Sequence, residues 1–121
     1  MNRWSLVLAC YAGLLGACGI GAGAAAAHIS GGGPLDTAAN YLLIHGAAIA
    51  AISLNRASGR TFLGSATVLA AGITLFSGDL ALRALLGMKI FPMAAPLGGM
   101  ILIAGWLTLS FASLIHLFVR K

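Results

Sequence analysis

Five side chains that can carry charge or exchange protons stand within or beside apolar stretches of this chain, and they form its candidate polar site: His28, Asp36, His45, Asp79 and Arg83. Such groups are costly in apolar surroundings unless they are paired, so each is a candidate for proton transfer, for ligand binding or for an internal hydrogen bond. His45 is the most informative, because it lies deep within an apolar stretch. Both a hydrogen bond to a neighbouring helix and a site for a proton, ligand or substrate fit it at this point.

Asp79 and Arg83 are four residues apart, which places them on one face of a helix as an acid followed by a base. One interpretation is an ion pair near the end of a helix. The other turns Asp79 inward, toward Asp36 or His28. The residue types alone leave both interpretations open.

The histidines and cysteines do not predict a metal or a cofactor. His28, His45 and His116 fall at different depths along their helices, whereas paired haem ligands or a zinc site need similar heights. Cys10 and Cys18 are separated by about 12 Å along a helix, too far for a disulfide within the chain. We therefore expect no cofactor and no metal.

Composition identifies the surroundings of these groups. Hydrophobic residues make up 60% of the 121 positions and charged residues only 7%, more apolar surface than so small a soluble domain can bury. Four apolar runs are each long enough to cross a bilayer. The sequence predicts an all-α, integral membrane four-helix bundle, with residues 1–121 as a single membrane domain and spans near residues 4–27, 37–54, 61–80 and 94–119.

Breaks between the runs predict where the helices end. The first run also resembles a signal peptide, but its length favours a retained helix. Gly31–Gly33 and Pro34 interrupt the chain, and Asp36 is placed to cap the second helix. Pro92 and Pro96 suit the first turn of the fourth span. The connection before it is expected to lie along the membrane interface.

The basic residues predict an orientation rather than a nucleic-acid site. The formal charge is +5, but the cations lie at the edges of the apolar runs, as membrane anchors do. Arg3, Arg56, Arg60, Arg120 and Lys121 fall on one side, against Arg83 and Lys89 on the other. This distribution predicts both termini on the cytoplasmic side of the inner (cytoplasmic) membrane, a multi-pass protein in contact with membrane lipid, and no nucleic-acid partner.

Small residues in the first span recur at every fourth position: Ala9, Gly13, Ala17, Gly21 and Ala25. In membranes such stripes admit the close approach of another helix backbone, so Gly13, Ala17 and Gly21 are predicted packing positions. Gly98, Gly99 and Gly105 are the packing glycines expected in the fourth span.

Several motifs resemble a family of small four-span membrane proteins known as domain of unknown function 423, the YgdD-like family, with a mitochondrial relative called transmembrane protein 256. Pro96-Leu97-Gly98-Gly99 and the later Gly105-Trp106 look like the signature of its last span. Phe76-Ser77-Gly78 resembles a motif of its third span, Tyr41 and His45 match the spaced pair of its second, and His28 matches the histidine that closes its first. The resemblance implies a four-span topology and a retained first helix, but no activity.

The chain also departs from that family pattern at several positions. Leu42 stands where glutamine is usual, Ala26 where glycine is usual, Asp79 where serine is familiar and Ala81 where tyrosine is common. Leu42, Asp79 and Ala81 fall in the second and third helices, and Ala26 falls at the end of the first. The resemblance therefore does not decide whether this chain has the polar network that the family pattern implies around its second and third helices.

Three functions remain in view. The leading one is a non-enzymatic small membrane protein that packs as an accessory subunit or a homo-oligomer in a membrane assembly. The alternative is a transporter or channel component for protons or a small solute, using His45 and Asp79. The second alternative is an enzyme acting on a lipid or quinone, with His28, Asp36 and His45 as its acid–base groups.

Overall fold

The computed structural model describes residues 2–56 and 59–119, and they form four long helices. These are α1 (Arg3–Ala25), α2 (Pro34–Leu54), α3 (Arg60–Leu86) and α4 (Ala94–Val119), and a single π-helical segment, Ala26–Ser30, extends α1. Each of the four is long and apolar enough to cross a bilayer. The prediction of an all-α, four-helix membrane fold is confirmed.

The start of α2 differs from the prediction. Pro34 is its first residue and Gly33, with φ of 71°, precedes it, so the prediction that Asp36 caps the helix is wrong. Proline suits this position because its fixed φ is helical and its missing N–H would have no partner there. Asp36 instead lies in the first turn, where its charge faces the positive end of the helix dipole.

The end of α3 lies six residues beyond the predicted boundary near residue 80. Asp79 and Arg83 are both helical, and the helix stops at Gly87, whose φ of 64° is left-handed and whose N–H bonds to the Arg83 carbonyl at 3.2 Å. Glycine permits this turn because it has no Cβ. The connection to α4 is therefore only residues 87–93, and Pro96 lies in the first turn of α4, as predicted.

The helices pack mainly in chain order. Helix α1 packs mainly against α2. Helix α2 also packs against α3, and α3 packs along α4. Leu69 and Ile73 of α3 are fully buried and share one core with Leu15 of α1, Ile49 of α2 and Leu102 of α4. Since α4 packs along α3 rather than against α1 or α2, the bundle is open beside α4.

Glycines set the distance between neighbouring helices. A Cβ added at Gly98 would lie 2.5 Å from the Phe76 backbone nitrogen, and one at Gly105 would lie 3.1 Å from the Leu69 backbone nitrogen. Between α1 and α2, a Cβ at Gly46 would lie 3.2 Å from the Ala12 carbonyl oxygen. Close backbone approach of this kind maximises dispersion contact where lipid offers no hydrophobic driving force.

The predicted packing stripe of α1 points away from the other helices. A Cβ at Gly13 or Gly21 would meet no atom within 4 Å, and Ala17 is exposed. The face of α1 that meets α2 carries Ala12 and Gly19 instead. The stripe thus makes no helix contact within the chain, and its use between chains stays a prediction.

Candidate functional site

His45 lies at the centre of a hydrogen-bonded bridge between α2 and α4. It is 4% exposed. Its Nδ1 lies 2.8 Å from the Tyr41 carbonyl oxygen, one turn earlier on α2, and its Nε2 lies 3.0 Å from the indole Nε1 of Trp106 on α4. The bridge crosses the open side of the bundle.

These two partners fix the form of the imidazole ring. The Tyr41 carbonyl can only accept, so Nδ1 carries the hydrogen, and the Trp106 indole can only donate, so Nε2 must accept. His45 is therefore a neutral ring in its Nδ1–H tautomer. A proton added at Nε2 would set two N–H groups against each other and break the bridge to α4.

Aromatic rings surround this histidine. The Tyr41 ring is stacked on the imidazole, with centroids 5.8 Å apart and planes 9° apart, and the Trp106 ring meets it edge-on at 5.7 Å. Phe76 of α3 lies 4.9 Å from the Tyr41 ring in a tilted arrangement. Three helices thus contribute to one aromatic cluster around a polar centre.

Asp79 forms a second polar centre near the C-terminal end of α3. Its side chain is fully buried, and Arg83 Nε donates to Oδ2 at 2.7 Å, while the Ile90 backbone N–H donates to Oδ1 at 2.9 Å. The first contact lies within α3 and the second reaches the connection that follows. Asp79 therefore holds this connection against the helix end: it forms the ion pair with Arg83, and its side chain is also fully buried.

The five candidate polar residues do not form one site. Within residues 2–56 and 59–119, Arg83–Asp79 is the single ion pair. His28 and Asp36 are exposed on either side of the first turn between helices and contribute to neither polar centre. His45 and Asp79 share no hydrogen-bond partner. The candidate site is thus divided into a His45 centre between helices and an Asp79 centre beneath a connection.

Two polar contacts between α1 and α3 were not anticipated from the sequence. Trp4 Nε1 donates to Thr67 Oγ1 at 2.8 Å, and the Tyr11 hydroxyl bonds to Thr74 Oγ1. Both threonine hydroxyls lie within 2.8 Å of carbonyl oxygens four residues earlier, so their oxygens are left to accept from α1. The sequence pattern that could have predicted these contacts is the seven-residue spacing from Trp4 to Tyr11 and from Thr67 to Thr74. This spacing repeats after two turns, so parallel neighbouring helices stay in register.

The buried serines Ser65 and Ser77 are not arranged as nucleophiles. The Ser77 hydroxyl donates to the Ala38 carbonyl of α2 at 3.3 Å, so it is not poised beside His45 as a nucleophile. Ser65 is also buried, and its hydroxyl has no partner in the part of the chain that the structure describes. Neither serine is aligned with a base.

Comparison with known proteins places this arrangement in a family context. Residues 22–99 match a family model described as a protein of unknown function, DUF423. The chain is also similar to a UPF0382 membrane protein of Staphylococcus haemolyticus, at 35% identity over 77 residues. That alignment covers 61% of this chain and 62% of the relative, so it spans about three fifths of the relative's length.

The family match includes every residue of the candidate polar site but not all of its partners. His28, Asp36, His45, Asp79 and Arg83 all fall within residues 22–99, whereas Trp106 lies beyond them. The resemblance is therefore shown for the middle of the chain rather than for nearly all of it. No solved structure matches this chain.

Proposed function

We propose a non-enzymatic role in membrane assembly for this chain, on the premise that it belongs to the DUF423 family of membrane proteins. The chain would act as an accessory subunit or as a homo-oligomer, by packing its helices against a partner within the bilayer. The observation that carries the proposal is that the buried ionisable groups are all occupied in holding the fold together.

Transport or acid–base chemistry needs a group that can gain and lose a proton without losing the structure. One ring nitrogen of His45 bonds to Tyr41 within α2 and the other to Trp106 on α4, and both carboxylate oxygens of Asp79 accept hydrogen bonds. Each of these two residues therefore joins two elements through its hydrogen bonds. This arrangement favours a structural role for both residues over a hydrated path or a catalytic base.

The outer face of α1 offers a surface for association. Gly13 and Gly21 have open space where a side chain would stand, and Ala17 between them is exposed. Small residues on a membrane-facing helix surface allow another helix to approach its backbone closely. We place the partner helix, from a second copy or another membrane protein, on this face.

The proposal also includes a location. Five cations on the side of the termini against two on the other support an orientation with both termini in the cytoplasm, and hence residence in the inner (cytoplasmic) membrane. Membrane lipid is the surrounding solvent for all four candidate spans.

Association is tested by purifying the full chain in mild detergent and measuring its mass by light scattering, with mass spectrometry of any protein that accompanies it. We expect an oligomer or a stoichiometric partner for the wild type. Gly21→Leu should yield the monomer without lowering its thermal stability, because the new side chain enters open space.

Gly64→Leu is the matched control, since Gly64 also has open space around it but belongs to α3 and not to the small-residue stripe of α1. It should keep the wild-type assembly. A wild-type chain that is monomeric and unaccompanied, or a Gly21→Leu chain that associates like the wild type, would contradict the proposal.

A further inference from the structure

A cleft of about 430 Å³ opens between α2, α3 and α4 beside the His45 bridge. It exists because α4 packs along α3 and leaves a gap toward α2, and the Trp106–His45 hydrogen bond crosses this gap. The residues that matter for its chemistry are three aromatic rings, one imidazole and two flexible or branched apolar side chains: Tyr41, His45, Phe76, Met100, Ile103 and Trp106. A cleft of this size falls in the range of small-molecule sites.

The depth of the cleft restricts what can enter it. Tyr41 lies about 10 Å along α2 from Pro34, and Trp106 lies about 18 Å along α4 from Ala94. Both positions fall within the candidate spans, well inside a hydrocarbon core of about 30 Å. Tyr41 and Trp106 are each 40% exposed, so the opening faces the bilayer. Any occupant must therefore be soluble in lipid and enter sideways.

The hydrogen-bonding groups of the wall indicate one polar contact for such an occupant. Both nitrogens of His45 and the indole N–H of Trp106 already have partners within the protein. The Tyr41 hydroxyl makes no hydrogen bond to the residues that the structure describes. In hydrocarbon, where water is absent, a hydroxyl without a partner is costly. A ligand carbonyl or hydroxyl would supply the missing partner.

We propose that this cleft binds a lipid-soluble ring compound with a carbonyl or hydroxyl on the ring, the chemistry of a quinone headgroup. The planar ring stacks among the aromatic side chains, and its oxygen pairs with the Tyr41 hydroxyl. A phospholipid acyl chain would fill the volume but leave this hydroxyl unpaired. The inference concerns binding only, goes beyond the proposed role in assembly, and stands independently of any partner.

The test uses the full chain in phosphatidylcholine nanodiscs, with a naphthoquinone carrying a short saturated chain as the probe. Trp4→Phe leaves Trp106 as the sole tryptophan, so its fluorescence reports on the cleft. We expect saturable quenching. In that background Tyr41→Phe, which keeps the ring and removes the hydroxyl, should raise the half-saturating concentration by about 2- to 12-fold, the effect of one lost hydrogen bond.

A second variant fills the cleft instead of changing its polarity. Gly99 lines the cleft, and Gly99→Leu should abolish the saturable quenching, while Gly64→Leu on an open surface of α3 should leave it unchanged. Quenching that rises linearly with probe in the Trp4→Phe chain would overturn the proposal. An unchanged half-saturating concentration in Tyr41→Phe would also overturn it, because the cleft would then hold only an apolar chain. If Gly99→Leu does not fold, the Tyr41→Phe comparison decides alone.

Discussion

His45 joins two helices through a single ring, and the chemistry of its partners decides what that ring can do. A carbonyl on one side and an indole N–H on the other require a neutral imidazole with its hydrogen on Nδ1. Asp79 has the corresponding role at the end of α3, where a helical arginine and a backbone N–H occupy both of its oxygens. At the scale of residues, the buried polar groups act as links between elements.

Replacing His45 tests whether its hydrogen bonds or its titration matter. His45→Gln keeps one donor and one acceptor and should retain most of the stability. His45→Leu removes the hydrogen bonds to the Trp106 N–H and to the Tyr41 carbonyl, and it should lower the free energy of unfolding by about 0.6 to 2 kcal/mol. Unfolding of the two variants by a denaturing detergent measures the difference. A leucine variant as stable as the wild type would remove the structural role of the bridge.

Replacing Asp79 tests the anchor of the α3–α4 connection. Asp79→Ala removes the acceptor of both hydrogen bonds and should destabilise the protein by about 1.5 to 3 kcal/mol, the scale for bonds to a charged group. Asp36→Ala is the matched control, since this exposed carboxylate contributes only through the dipole of α2, about 0.3 to 1 kcal/mol. Equal losses in the two variants, measured by unfolding in detergent, would show that the buried contacts contribute nothing beyond charge.

Helix pairs in this protein use two different means of contact. Between α1 and α3, hydrogen bonds join Trp4 to Thr67 and Tyr11 to Thr74, one pair two turns beyond the other. Between α3 and α4, glycines let the backbones touch, with the carbonyl of Gly72 3.0 Å from where a Cβ of Gly98 would lie. Polar side chains and small residues are the two common sources of helix association in a bilayer.

Adjacent glycines of α4 allow a sharp test of the close approach. A Cβ at Gly98 would lie 2.5 Å from the Phe76 nitrogen, so Gly98→Ala must push α4 away from α3 and should cost about 1 to 3 kcal/mol. Gly99→Ala meets only the edge of the Phe76 ring at 3.7 Å, an ordinary contact, and should change stability by less than about 0.5 kcal/mol. Thermal unfolding of both variants in one detergent gives the comparison. Similar stabilities would mean that α3 and α4 are not so closely packed.

At the scale of the whole molecule, the bundle is open on the flank of α4. This helix has a single extensive neighbour, and its other sides expose large apolar residues to the bilayer, among them Met100, Leu107 and Phe111. This openness produces the cleft beside His45, and the small-residue face of α1 is uncovered as well. A chain with both features has more lipid-facing surface than a closed bundle, which is consistent with a partner in the membrane.

The orientation proposed for the whole chain rests on the distribution of its cations and can be measured directly. Reporter fusions after Lys121 should show a cytoplasmic location, and a tag inserted at Gly32 should be accessible from outside, because five cations lie on the side of the termini and two on the other. A reporter after Lys121 that lies outside the cell, together with a tag at Gly32 that is inaccessible from outside, would contradict this orientation. Arg120 and Lys121, two of the five cations, lie outside the described residues.

The sequence by itself determined the class of the fold and the number of spans. Four apolar runs separated by glycine, proline and charge can only satisfy their backbone groups in a bilayer as helices, so composition and length were enough. Helix α3 continues six residues beyond the span predicted near residues 61–80, and it carries both Asp79 and Arg83. Their charges are tolerated inside the helix because they pair with each other.

The tertiary structure alone decided which faces meet and which polar groups are partners. The stripe of Gly13, Ala17 and Gly21 has the spacing of an interface, yet α1 turns its Ala12 and Gly19 face toward α2, and no local pattern distinguishes two small-residue faces of one helix. Likewise, His45 was recognised as a buried polar group, but its partner Trp106 is 61 residues away. Spacing along one helix fixes depth, whereas the rotation of each helix about its axis depends on how all four pack together, and that rotation sets the partners of every buried group.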